Sequence, residues 1–192
     1  MIDRRHMLFA ALGLPAAALP LPGRSHAAGA TGMSHITAYA FTFNALDGGT
    51  IALAEHAGHP LLVVNTASQC GYTPQYAGLQ ALWTRYGKRG LFLLGVPSND
   101  FGGQEPGGAS DIEATAKGEF HVTFPLTEKA VVKGPAAHPF YRWAAEALPN
   151  ERPRWNFHKY LVGRDGVLKA GFASALEPTD PRIISAIETE LG

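Results

Sequence analysis

Apolar positions change their period several times along this chain, and each change predicts an element. Tyr39, Phe41 and Phe43 alternate with small or polar neighbours, Asp47-Gly48-Gly49 gives a turn, and Thr50-Ile51-Ala52-Leu53 follows. That combination predicts a β-hairpin. Leu61-Leu62-Val63-Val64-Asn65-Thr66 is a run without alternation, as expected for a strand covered on both faces. Beyond Pro74, the residues Leu79, Leu82, Trp83 and Tyr86 recur at helical spacing, and Gly87 and Gly90 end the stripe. Leu91-Phe92-Leu93-Leu94-Gly95-Val96 is a second covered strand, closed by Pro97. Two such strands joined by one helix should lie parallel and adjacent, with a right-handed crossover.

A Gly-rich loop spans 99–108, followed by a short helix near 111–119 and an irregular stretch through Phe124-Pro125. The pattern then predicts a helix over 138–148, stopped by Pro149. Tyr160-Leu161-Val162 and Val167-Leu168-Lys169-Ala170 flank Asp165-Gly166, which is a hairpin signal. Residues 180–191 form a closing amphipathic helix carrying Ile183, Ile184, Ile187 and Leu191. The order βαβ, helix, ββα predicts an α/β class: a thioredoxin-like fold, with a mixed central sheet flanked by helices and an extra N-terminal β-hairpin. Residues 36–192 read as one domain.

The start of the chain has a different grammar. Arg4-Arg5 precede a short apolar segment from Met7 to Leu19, and Ser25-His26-Ala27 supplies small residues at alternate positions. These features predict an export signal over 1–27, of the twin-arginine type, in a bacterial periplasmic protein. Pro15, Pro20 and Pro22 break a segment already too short for a membrane span. Residues 28–35 read as a tether.

At 192 residues, with 46% hydrophobic and 17% charged, the chain suits one compact domain. Sixteen basic residues balance 16 acidic ones, so no global field draws in nucleic acid or an anionic membrane. The single Cys excludes an internal disulfide and a Cys-rich metal site. The eight histidines are scattered or lie in polar loops, and no metal or other cofactor is expected.

Chemistry concentrates in three segments. Cys70 lies between the first covered strand and the helix opening at Pro74, where free amides and the helix dipole favour a thiolate. Gln104 lies in the Gly-rich loop at the carboxyl end of the neighbouring strand, where open α/β sheets place their sites. Trp155 and Asn156 precede a third strand and offer an indole N–H and a carboxamide. Taken singly, these would read as a small hydrophobe, a loop amide, a core aromatic and a turn residue.

Together the segments resemble the glutathione peroxidase family. Asn65-Thr66-Ala67-Ser68-Gln69-Cys70-Gly71-Tyr72-Thr73 is similar to its nucleophile motif, Phe101-Gly102-Gly103-Gln104-Glu105-Pro106 to its glutamine loop, and Trp155-Asn156-Phe157-His158-Lys159-Tyr160-Leu161 to its Trp-Asn motif. The resemblance implies a catalytic tetrad of Cys70, Gln104, Trp155 and Asn156. It implies a thiol peroxidase that reduces hydrogen peroxide and organic or lipid hydroperoxides to water and alcohols through a Cys70 sulfenic acid.

Departures from the family pattern refine that expectation. Many relatives carry a resolving cysteine near the position of Ala116, and many have another at Ser98. With one thiol, the cycle needs an external reductant, such as glutathione or a thioredoxin-like protein. Lys159, Lys169, Arg142 and Arg154 are candidate partners for a reductant's carboxylate, whereas Gly171 stands where several relatives place an arginine. The short connection 133–154 lacks the insertion of tetrameric relatives, so a monomer with an open pocket is expected. Two other readings remain: a thiol-based peroxide sensor, and a thiol–disulfide oxidoreductase, which the lack of a C-x-x-C disfavours.

Overall fold

The computed structural model describes residues 36–192, so the predicted signal (1–27) and the tether (28–35) lie outside the described residues. A short antiparallel hairpin, β1 (Thr42–Asn44) and β2 (Thr50–Ala52), opens the fold. The central sheet contains β3 (Leu61–Thr66), β4 (Phe92–Pro97), β5 (Lys159–Val162) and β6 (Leu168–Phe172), in the order β4-β3-β5-β6. β3 and β4 run parallel, whereas β5 is antiparallel to both β3 and β6. The mixed sheet and the separate hairpin are those expected from the apolar pattern.

Every residue of β3 and β4 is buried, and alternation decides which core each one enters. Leu62, Val64 and Leu93 pack with Tyr76, Leu79 and Leu82 of α1 (Gln75–Tyr86) and with Ile183 and Ile187 of α4 (Pro181–Leu191). Leu61, Val63, Phe92 and Leu94 pack on the other face with Phe140, Tyr141 and Ala144 of α3 (Pro139–Ala147). Helices on both faces thus remove the polar side that an antiparallel sheet keeps.

Caps set the helix bounds. His138 and Asp180 each accept a backbone N–H of the first turn, and Pro139 and Pro181 occupy positions where no amide donor is needed. The short helix expected near 111–119 is two pieces: α2 (Ala109–Glu113) continues as a π-helical turn over Ala114–Glu119. The irregular stretch after it is not free either. Gly95 donates to Pro125 O at 3.0 Å and accepts from Thr127 N at 2.9 Å, so this segment borders the β4 edge.

Candidate active site

Cys70 sits in the turn between β3 and α1 and keeps 7% of its surface exposed. Thr73 builds this turn: its Oγ1 accepts from Cys70 N at 3.0 Å and donates to Ala67 O at 2.9 Å. The Tyr72 amide donates to Cys70 Sγ at 3.4 Å. A backbone donor therefore already faces the sulfur, just ahead of the first turn of α1.

The Gln104 loop follows β4. Gly102 and Gly103 both take left-handed φ values, +69° and +64°, and turn the chain back at a point where side chains would be strained. Asn99 Oδ1 accepts from Glu105 N at 2.8 Å. Lys129 Nζ donates to Glu105 O at 3.1 Å and Gly107 O at 2.8 Å, closing the loop from outside. Two contacts tie this loop to the Cys70 turn: Gln69 N donates to Gln104 O at 2.9 Å, and Ser68 Oγ donates to Glu105 Oε2 at 3.2 Å.

The third segment is held by Asn65, the polar residue at the end of the buried run in β3. Its N–H donates to His158 O at 3.2 Å, its carbonyl accepts from Phe157 N at 2.6 Å, and its Nδ2 donates to Trp155 O at 3.1 Å. Phe157 is fully buried with φ +62°, a conformation costing about 1–2 kcal/mol for an L-residue. Packing edge-on against Tyr76, at 5.3 Å between ring centres, offsets that strain.

The structure therefore brings three of the four candidates into one cluster and joins the fourth through its turn. Asn156 is fully buried, and its Nδ2 donates to Gln104 Oε1 at 2.9 Å and Phe101 O at 3.3 Å. Trp155 is 39% exposed, lies 6.1 Å from the Phe101 ring, and borders Gly102. Gln104 Nε2 and Trp155 Nε1 have no hydrogen-bond partner among the described residues. They are spare donors on the walls of the cluster.

The surrounding charges are few. Burial pushes the Glu105 carboxyl up, while Ser68 donors and the Lys129 charge pull it back. Burial, and then the Lys159 charge, push His158 down to about 4, leaving it neutral at pH 7. Lys159, a sequence candidate for a reductant's carboxylate, is fully buried and pushed down to about 8 by desolvation. Its Nζ donates to Gln75 Oε1 at 2.6 Å and Leu176 O at 2.5 Å, so it braces α1 rather than facing a ligand. Lys169 is spent on Asp165 at 2.7 Å. Asn65, Glu105 and Lys129 were not singled out by sequence; a fully polar Asn65 inside a covered strand was the one available signal.

The glutathione peroxidase family model matches residues 38–145. A Synechocystis hydroperoxy fatty acid reductase is 46% identical over 159 residues, covering 78% of this chain and 94% of that protein. A glutathione peroxidase homolog of Staphylococcus epidermidis is 40% identical over 143 residues, covering 73% and 90%. Among solved structures, the crystal structure of Trgpx in apo form superposes with a TM-score of 0.66 at 32% identity, covering 81% of this chain and 96% of that one.

Proposed function

Because this chain belongs to the glutathione peroxidase family and is a peroxidase of the oxidoreductase class, we propose a specific cycle run by Cys70, Gln104, Trp155 and Asn156. The Cys70 thiolate attacks the terminal oxygen of R–O–O–H in line with the O–O bond. The S–O bond forms, the O–O bond breaks, and one proton goes to the departing alkoxide to give ROH. Cys70 is left as a sulfenic acid, oxidised by two electrons. Charge moves from sulfur to the leaving oxygen, so uncharged donors fixed around both atoms lower the barrier without burying an ion. Gln104 and Trp155 are assigned to sulfur and peroxide, and Asn156 holds Gln104 and relays the proton.

The observation that carries this reading is the Gln104 carboxamide, whose oxygen is occupied by Asn156 while its NH₂ remains unspent. Its loop is bonded to the residue before Cys70. With no second thiol, an external thiol condenses with the sulfenic acid, releasing water and forming a mixed disulfide. A second thiol then regenerates Cys70. Glutathione or a thioredoxin-like protein fills that role. Substrates include hydrogen peroxide and organic or lipid hydroperoxides, in keeping with the name of the Synechocystis relative. The protein acts as a periplasmic monomer after removal of the N-terminal signal. That placement is supported by Arg4-Arg5, the apolar segment and Ser25-His26-Ala27.

Stopped-flow oxidation of the reduced protein by hydrogen peroxide, followed by recycling with glutathione or thioredoxin, tests the cycle. Oxidation far faster than a free thiol, with turnover, is expected. A rate equal to that of a free thiol would remove the reading. Fractionation with N-terminal sequencing tests export, and gel filtration tests the monomer.

A further inference from the structure

A cavity of about 300 Å³ lies between the loop over 132–134, the outer side of α3 and the segment leading to Trp155. Its apolar wall is Val132, Ala137, Ala145 and Pro153, and its rim carries Lys133, Arg142 and Arg152 against one carboxylate, Glu146. Among the described residues, none of the three cations lies in an ion pair. They are nonetheless held in place. Arg142 Nη1 donates to Ala137 O, and Arg152 Nε donates to Ala145 O at 3.3 Å. Each guanidinium spends one N–H on the cavity wall and keeps the rest of its fork, the geometry suited to a carboxylate.

This cavity adjoins the candidate active site. Lys133 Nζ sits 4.6 Å from the centre of the Phe101 ring. That ring packs against Trp155, and Phe101 O accepts from Asn156 Nδ2. One aromatic side chain thus separates the cationic rim from the residues assigned to peroxide reduction. A cationic rim over an apolar wall suits a carboxylate carried on an alkyl chain; a peptide would leave its polar amides against Val132 and Ala145.

Resting on the peroxidase reading above, we infer that this cavity seats the carboxylate end of acyl-chain hydroperoxides. Lys133, Arg142 and Arg152 grip the carboxylate, and the chain passes over Phe101 to bring the peroxide group to Cys70. The cavity thereby sets which organic hydroperoxide is preferred, without taking part in the bond changes.

The test uses the reduced protein in a stopped-flow instrument with three oxidants: hydrogen peroxide, a free-acid acyl hydroperoxide below its micellar concentration, and the methyl ester of that acid. The free acid should oxidise Cys70 about tenfold faster than the ester, as expected for loss of one charge-assisted contact, and added salt should shrink the gap. Lys133→Gln and Arg152→Gln together should close the gap while leaving the hydrogen peroxide rate unchanged. Lys133→Gln alone, which removes no hydrogen bond of the fold made by its Nζ, should narrow it. Equal rates for acid and ester in the wild type, or a gap that survives the substitutions, would overturn the inference while leaving the peroxidase intact. Substitutions that raise the half-saturating glutathione concentration, with the oxidation step unmoved, would also overturn it by assigning the cavity to the reductant. If none of the three oxidants reacts faster with Cys70 than with a free thiol, the peroxidase reading itself fails, and this inference with it.

Discussion

Asn156 donates to the side-chain oxygen of Gln104 across 2.9 Å, and that single bond orients the amide on the loop beside Cys70. In the proposed cycle, an amide free to rotate would present oxygen and nitrogen to the sulfur in turn, and an oxygen there would repel a thiolate. Asn156→Ala should therefore slow Cys70 oxidation by tenfold or more. Gln104→Ala should slow it by a similar factor. Stopped-flow rates for the two single variants and the double variant check the coupling: the double should be little slower than either single, whereas multiplied losses would show that the residues act independently.

Asn65 makes a second prediction. Its Nδ2 holds Trp155 O from 90 positions away, beneath a Phe157 that has left-handed backbone angles. Asn65→Ala leaves the partly buried Trp155 carbonyl without its donor and should cost about 1 kcal/mol of stability. The Cys70 oxidation rate should fall as well, because Trp155 loses its support. Urea unfolding and stopped-flow kinetics on the same sample measure both.

The paired glycines separate strain from contact. At Gly103, φ is +64° and an added Cβ meets nothing within 4 Å; at Gly102, φ is +69° and the Cβ lies 3.3 Å from Trp155 Cη2. Gly103→Ala should cost about 1 kcal/mol of stability with oxidation nearly unchanged. Gly102→Ala should cost at least as much and also slow oxidation by displacing the indole. Equal kinetics in the two variants would mean that Trp155 position does not matter.

His158 gives a pH signature. Burial and the neighbouring Lys159 charge lower its folded value to about 4, against 6.5 in the unfolded chain. Between those values the unfolded chain binds more protons, so stability rises with pH from about 4 to 6.5 and is lost on acidification through the same window. The shift corresponds to about 3 kcal/mol. Comparing wild type with His158→Phe by chemical denaturation from pH 4 to 7 isolates this share from that of the carboxylates. The wild type should lose stability more steeply than the variant as pH falls, and parallel curves would refute it.

The elements of this fold were legible because each rests on neighbours in sequence. Apolar runs in β3 and β4, the stripe of α1, Asp165-Gly166 in the last hairpin and the Pro-led helices α3 and α4 are all local patterns. The π-helical turn over Ala114–Glu119, which buries Ala116 in the core, was not, since the sequence there carries no period that marks it. Similarly, the stretch through Phe124-Pro125 lacks strand alternation because its order comes from bonds to Gly95 and Leu46.

The candidate site divides along the same line. Turn chemistry marked Cys70 ahead of a helix and Gln104 in a glycine-bent loop. The set of Cys70, Gln104, Trp155 and Asn156 was implied by the resemblance of three separated motifs to the glutathione peroxidase family, each motif being read over a few positions. Who holds whom could not be read that way. The Asn156–Gln104 bond spans 52 positions, the Asn65–Trp155 bond 90, and Lys133 meets Phe101 through a cation–π contact. Each follows from the sheet order and the crossover that bring distant strand ends together. Lys159 makes the same point in reverse: it is a charged residue by type, and folding sealed it among neutral oxygens. Local hydropathy and backbone preference act over a turn or a strand, whereas hydrogen-bond partnership depends on which chain segments packing forces into contact.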